Sequence, residues 1–327
     1  MTKRWRTRAV PVGDKGIGGN NPIRIQSMTT TPTHDVLATV AQVQQLADGG
    51  CDIVRVTVQG KKEAYACEEI KNNLLQKGYA IPLVADIHFY PPAAVIVAEF
   101  VDKVRINPGN FVDKRATFRI LQYDAMQYER ELQRLEEALV PLITKCKKRN
   151  ISLRIGANHG SLSDRIMNRY GDTPWGMVQS AFEFTEVCRK YDFHNIVYSM
   201  KASNTRIMIQ AYRLLVQEMQ VKGWNYPLHL GVTEAGEGEE GRIKSSVGIG
   251  SLLLDGLGDT IRVSLTEDPL AEIAPCQQLR TLANTYYTDR SLPTFTENYR
   301  SLDSVSDRKS TRLNSSHQHR SRMPSSA

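Results

Sequence analysis

The chain has 327 residues, 41% apolar and 24% charged, with 22 glycines and 14 prolines. These proportions exclude disorder, collagen-like repeats and disulfide-dense mini-folds, and they allow one large core or two average ones. No stretch approaches about 18 consecutive apolar residues, and the start MTKRWRTRAVPVGDKG has no apolar run behind it, so neither a membrane span nor a secretory leader is expected and the default compartment is the cytoplasm. The net charge of +7 raises nucleic-acid binding, but four of those charges fall in residues 307–327, where Arg308, Lys309, Arg312, Arg320 and Arg322 face only Asp307. What remains is ordinary for an enzyme, and no basic stripe interleaves with aromatics, so nucleic acid is not expected as a partner.

In chain order, residues 1–21 read as a hairpin closing the bottom of a barrel, with GIGG at 16–19 as turn chemistry rather than a nucleotide loop, because no strand and helix bracket it. From Pro22 to Asn284 short β-branched segments alternate with longer amphipathic ones eight times. The expected strands are PIRIQSM, DIVRVTV, PLVADIHF, DKVRINPGN, SLRIGANHGS, NIVYSMKAS, PLHLGVTEAG and TIRVSLTEDP. Eight βα units in this length match a closed (βα)8 TIM barrel, an α/β fold, with an open doubly wound sheet as the alternative. The long fourth connection contains QYERELQRLEEALVPLITKCKK, which predicts a surface helix. Residues 285–306 read as the start of a further, incomplete domain, and 307–327 as a disordered tail of non-native sequence. The cysteines at 51, 67, 146, 188 and 276 are odd in number and contain no CxxC, which disfavours disulfides and zinc ribbons and leaves them as small buried hydrophobes.

Polar residues recur at alternate positions near the carboxyl ends of the expected strands. Arg55 and Thr57, Asp86 and His88, Arg105 and Asn107, Lys201 and Ser203, and Arg262 and Ser264 each lie two apart, and Arg154, Gly156, Asn158, Gly231 and Thr233 continue the spacing. A strand has period two, so each set points to one side, which in a barrel is the interior or its mouth. Arg55, Arg105, Arg154, Lys201 and Arg262 would then converge against few anions, an arrangement that needs a compensating anion or a wet cleft. A diphosphate suits it, since arginine forks and a lysine point charge can hold two phosphoryl groups. The alternative for each cation is a local carboxylate partner. Asp86 and His88 fit a metal pair, an acid–base pair or orienting groups, and spacing does not choose. His159 and His229 read as hydrogen-bonded structural histidines. Glu234, beside Thr233, is a candidate proton donor or acceptor among the cations, with a salt bridge as the plainer reading. The loop EAGEGEEGR reads as a movable flap or a solvated turn.

The segments RINPGN, RIGANHGSLSDR, YSMKASN, LHLGVTEAGEGEEGRIKSSVGIGSLLLDGLGDTIRVSLTEDP and QSMTTT resemble the 4-hydroxy-3-methylbut-2-enyl diphosphate synthase family, in its larger plant and bacterial form, over about residues 5–285. The resemblance implies a TIM-barrel mouth that binds 2-C-methyl-D-erythritol 2,4-cyclodiphosphate. It also implies a 4Fe-4S cluster that reduces this substrate in the methylerythritol phosphate route to isoprenoids, with ferredoxin or flavodoxin as electron donor. It assigns Arg55, Arg105, Arg154, Lys201, Arg262 and Ser264 to the diphosphate, Asp86, His88, Asn107 and Asn158 to the carbon skeleton, with Thr233 also lining the site, and Glu234 to acid–base work near the cluster. The family's cluster ligands, three cysteines and a glutamate, belong to a carboxyl-terminal domain, and no cysteine spacing here suits them. The expectation is therefore a substrate-binding barrel with no metal ligands of its own, inactive alone. A silent diphosphate-binding fragment and a dihydropteroate-synthase-like transferase are the alternatives. A homodimer is compatible with the sequence, and a plant source would move the compartment to the plastid stroma.

Overall fold

The computed structural model describes residues 4–88, 90–113 and 123–288. A two-stranded antiparallel hairpin, β1 (Val10–Val12) and β2 (Lys15–Ile17), comes first. Eight parallel strands come after it: β3 (Arg24–Met28), β4 (Ile53–Val58), β5 (Leu83–Ile87), β6 (Lys103–Ile106), β7 (Ser152–Asn158), β8 (Ile196–Lys201), β9 (His229–Leu230) and β10 (Thr260–Ile261). The sheet runs β8-β7-β6-β5-β4-β3-β10-β9, and a parallel bridge from Tyr198 to Leu228 joins its two ends. That bridge closes the sheet and decides for the barrel over the open sheet.

Strand alternation builds two environments. On β4 the valines 54, 56 and 58 face outward into the continuous core shared with the helices, while Ile53 faces inward. At the base of the interior, Ile53 and Val84 pack with Val12 and Ile17 of the hairpin. This end is apolar; polar and charged side chains occupy the inward positions above it.

The helices begin where the sequence offers caps. Asp35 caps α1 (Val36–Asp48), Thr173 caps α7 (Pro174–Lys190), and Asn204 caps α8 (Thr205–Val221). Between them lie α2 (Lys61–Gln76), α3 (Pro91–Val97), α4 (Pro108–Phe111), α5 (Ala125–Arg149) and α6 (Asp164–Tyr170). The expected long helix is α5, opened by a reciprocal capping box between Asp124 and Gln127 and closed at a left-handed Asn150 after Lys147, Lys148 and Arg149. Helices α9 (Gly238–Leu254) and α10 (Ile273–Thr288) complete the ring, the latter after a 3-10 turn, Pro269–Glu272.

Three expectations change. DKVRINPGN does not stay extended: the strand ends at Ile106, and Asn107 caps α4, whose first residue is Pro108. The last two strands have only two ladder residues each, although the chain continues to bond its neighbours, Thr233 N–H to Ala202 O and Arg262 N–H to Leu230 O. The barrel also does not end at 284. Helix α10 runs through Thr288 because Leu279, Ala283 and Tyr287 keep the helical spacing toward the core. The expected further domain beyond residue 288 and the expected disordered tail lie outside the described residues.

Candidate active site: a cationic barrel mouth

The carboxyl ends of β4 to β8 bring five of the expected residues into one buried cluster. Asp86 on β5 is the hub. Its Oδ1 accepts from Arg105 Nη1 at 2.9 Å, and its Oδ2 lies 3.3 Å from Arg55 Nη1 and 3.5 Å from His88 Nε2. Burial pushes the Asp86 carboxyl up, but Arg105 and Arg55, with His88, outweigh it and hold it well below the usual carboxylate range. Arg105 continues across the sheet, donating from Nη2 to Gly156 O and to Asn158 Oδ1, each at 3.1 Å. Gly156 leaves room for this: a Cβ there would lie 2.6 Å from Arg105 Nε.

Two of the expected cations form no ion pair among the described residues. Arg154 on β7 is fully buried, and none of its three guanidinium nitrogens has a hydrogen-bond partner. Lys201 at the end of β8 is 5% exposed and forms no ion pair among the described residues. Burial lowers the proton affinity of both, and neighbouring cations lower it further: Arg55 and Arg105 around Arg154, and Arg55, Arg154 and Arg262 around Lys201. Burial likewise brings the Arg55 guanidinium down to about 10. Half-buried His88 and Asn158 border this cluster through Asp86 and Arg105, while Thr233 and Ser264, also half-buried, lie just after β9 and β10.

The remaining expected residues are placed differently. Arg262 is not bare: Glu272 clamps it, with Nε to Oε2 at 2.9 Å and Nη2 to Oε1 at 2.7 Å, so the plainer reading of a local carboxylate holds for this cation. Asn107 spends its amide on structure, Oδ1 accepting from Gly109 N–H and Nδ2 donating to Ser161 Oγ, each at 3.1 Å. Glu234 is exposed, in a left-handed backbone conformation (φ 52°); Lys244 Nζ donates to its backbone O at 3.1 Å, and its carboxylate forms no salt bridge with a described arginine. The expected flap is largely the first turn of α9, pinned by Arg242 to Glu267 at 2.6 and 2.8 Å.

His159 is held by Asp172, as a structural histidine should be. His229 is not, because both ring nitrogens are buried without a partner. Burial, then Arg154, Lys201 and Lys103, keep its proton affinity well below that of a free imidazole. Sequence reading missed Lys103 and Glu272. Lys103, fully buried with Nζ 3.4 Å from Gln26 Oε1, lies two residues before Arg105, so the same alternation marked it. Glu272 carried no such signal, since it sits in a 3-10 turn beyond the last strand.

The described residues do not fit an iron–sulfur cluster. The five cysteines are all buried, Cys51 in the connection before β4 and the others on four different helices, and no group of three His, Cys, Asp or Glu residues among the described ones is arranged for a metal ion. Burial pushes the thiols of Cys51, Cys67, Cys146 and Cys276 up to about 12 and that of Cys188 higher, the reverse of what a thiolate ligand needs. Nor is any helix of the described residues long and apolar enough to cross a membrane.

Comparison with known proteins places this geometry. Two dissimilar solved structures share the fold alone: dihydropteroate synthase of Yersinia pestis (9% identity, TM-score 0.52, 85% of this chain and 97% of that one) and type I 3-dehydroquinate dehydratase of Clostridium difficile (12%, 0.53, 86% and 98%). Close relatives are the 4-hydroxy-3-methylbut-2-en-1-yl diphosphate synthase (flavodoxin) of Protochlamydia amoebophila, 66% identical over 94% of this chain, and the chloroplastic ferredoxin enzyme of Arabidopsis thaliana, 63% identical over 86%. The chain spans 47% of the first and 38% of the second. With residues 7–277 matching the family described as the GcpE TIM-barrel domain, the chain belongs to that family.

Proposed function

We propose that this chain supplies the substrate-binding barrel of a 4-hydroxy-3-methylbut-2-en-1-yl diphosphate synthase and that its mouth takes 2-C-methyl-D-erythritol 2,4-cyclodiphosphate. The observation that carries the reading is Arg154, a guanidinium buried with no partner among cations. An unpaired buried charge costs on the order of several kcal/mol, and a dianionic ligand would offset it. Arg154 and Lys201 would grip phosphoryl oxygens, and Arg55 and Arg105 are held by Asp86 along one edge with other N–H groups left over. His88, Asn158, Thr233 and Ser264 would meet the carbon skeleton and outer oxygens at the rim. Glu234, exposed at the end of the β9 segment, is the group proposed to move a proton.

In the whole enzyme the reaction would be a two-electron reductive ring opening, with a flavodoxin- or ferredoxin-type donor and a cytoplasmic or plastid location. Because the described residues offer no cluster ligands, this chain is assigned binding and no reductive step. The second reading, a silent diphosphate-binding fragment, draws on that same observation. Reconstitution with iron and sulfide tests what the two share, since a cluster absorption band with reductive turnover would refute the assignment of binding alone.

Arg154→Met tests the binding claim. It keeps the side-chain volume and removes an unpaired charge, so stability to urea should hold or rise. Affinity for the cyclic diphosphate should fall by about 2–4 kcal/mol. Titration calorimetry that finds the affinity unchanged would reject the site.

A further inference from the structure

Glu272 lies beyond the last barrel strand on the 3-10 turn and is 1% exposed. Each of its carboxylate oxygens receives two donors. Oε2 accepts from Ser27 Oγ at 2.7 Å and Arg262 Nε at 2.9 Å; Oε1 accepts from Arg262 Nη2 at 2.7 Å and Leu265 N–H at 3.2 Å. Ser27 lies on β3 and Arg262 directly follows β10, the two strands adjacent where the barrel's first and last units meet. The carboxylate therefore ties that seam together and holds one edge of the guanidinium. Arg262 Nη1 is left over, with no partner among the described residues and outside the set of fully buried unpartnered atoms.

We infer that Glu272 is a positioning residue: it fixes Arg262 so that its Nη1 side is presented to the mouth in one orientation, which lets the site prefer a diphosphate over a simple anion. This rests on the function proposed above. A free arginine side chain must be ordered when it meets a ligand, whereas one whose two N–H donors are clamped by a carboxylate is ordered when the chain folds, so binding bears less of the cost. A bare counter-ion would do the opposite. It would compete with phosphate for Arg262, and removing its charge would tighten every anion alike.

The two roles separate in Glu272→Gln, which keeps the shape, loses the charge and turns one acceptor into a donor. Affinity of this chain for 2-C-methyl-D-erythritol 2,4-cyclodiphosphate should fall by about tenfold, while affinity for inorganic phosphate should stay level or rise. Arg262→Ala should show the same loss, and adding Glu272→Gln to it should change little more, since the glutamate acts through the arginine. Tighter binding of both ligands by Glu272→Gln would overturn the inference in favour of a counter-ion. Unchanged cyclic-diphosphate affinity with a lowered melting temperature would overturn it in favour of a purely structural tie. If Glu272→Gln does not fold, Ser27→Ala removes one donor from the same carboxylate without altering charge, and an unchanged ratio of the two affinities would then overturn the proposal. Should the unaltered chain bind neither ligand, the proposed function falls and this inference with it. If it binds the cyclic diphosphate and the variants discriminate as well as it does, only the positioning role falls.

Discussion

Asp86 holds two guanidinium groups at once, so the cost of losing it is larger than one ion pair would suggest. Asp86→Asn keeps the shape but leaves Arg55 and Arg105 buried beside a neutral amide, and should destabilise the chain by about 3–5 kcal/mol in urea titration. The pH dependence comes from the same geometry. The folded carboxyl titrates well below its ordinary value near 3.8, so its contribution is present above that pH and is lost as pH falls toward the folded value. His229 acts in the opposite sense. Its folded imidazole resists protonation well below 6.5, so below that pH the unfolded chain binds a proton that the folded chain refuses, and stability falls. The slope from this one group reaches about 1.4 kcal/mol per pH unit. In His229→Leu that contribution disappears, so the fall in melting temperature between about pH 7.5 and pH 5.5 should be smaller than in the unaltered chain. An identical fall in both would mean that the ring is hydrated or paired.

At the scale of elements, what the sequence announced depended on how far the alternation ran. Strand β4 reads directly, because IVRVTV has valines on one side and Ile53, Arg55 and Thr57 on the other, and six residues suffice to show a period of two. Helix α5 reads as directly from the spacing of its leucines and charges. The failures are short or local. Asn107 looked like a strand residue but is the cap of a four-residue helix, which the Asn-Pro-Gly run encodes through turn chemistry. Gly109 in that run permits a close approach, since a Cβ there would fall 1.7 Å from Ser161 O. Glu272 was invisible because its partners are 245 and 10 residues away and only closure of the barrel brings them together. For α5, Asp124→Ala removes the side-chain half of the capping box and should cost about 1 kcal/mol of unfolding free energy. Cyclic-diphosphate affinity should not change, because α5 packs on the outside of the barrel.

Taken whole, the barrel is asymmetric along its axis. Its base is closed by Val12, Ile17, Ile53 and Val84, while the layers above hold Lys103, Arg154 and Lys201, none of which forms an ion pair with a carboxylate among the described residues. A fold that keeps such charges in its interior is less stable empty than it would be with apolar residues of the same size, and it gains stability from any ligand that neutralises them. Inorganic pyrophosphate tests this without the need for turnover. At about one hundred times its dissociation constant a ligand specific to the folded state adds about 2.7 kcal/mol. In a domain of this size each kcal/mol moves the melting temperature by about 2–4 °C, so the expected rise is about 5–10 °C. Chloride at matched ionic strength should give less, because screening lacks the bidentate contacts that a phosphoryl group makes with arginine. Arg154→Met should start from an equal or higher melting temperature and rise less with pyrophosphate. If the variant rises as far as the unaltered chain, the stabilising anion is binding elsewhere, and the buried cations need another explanation.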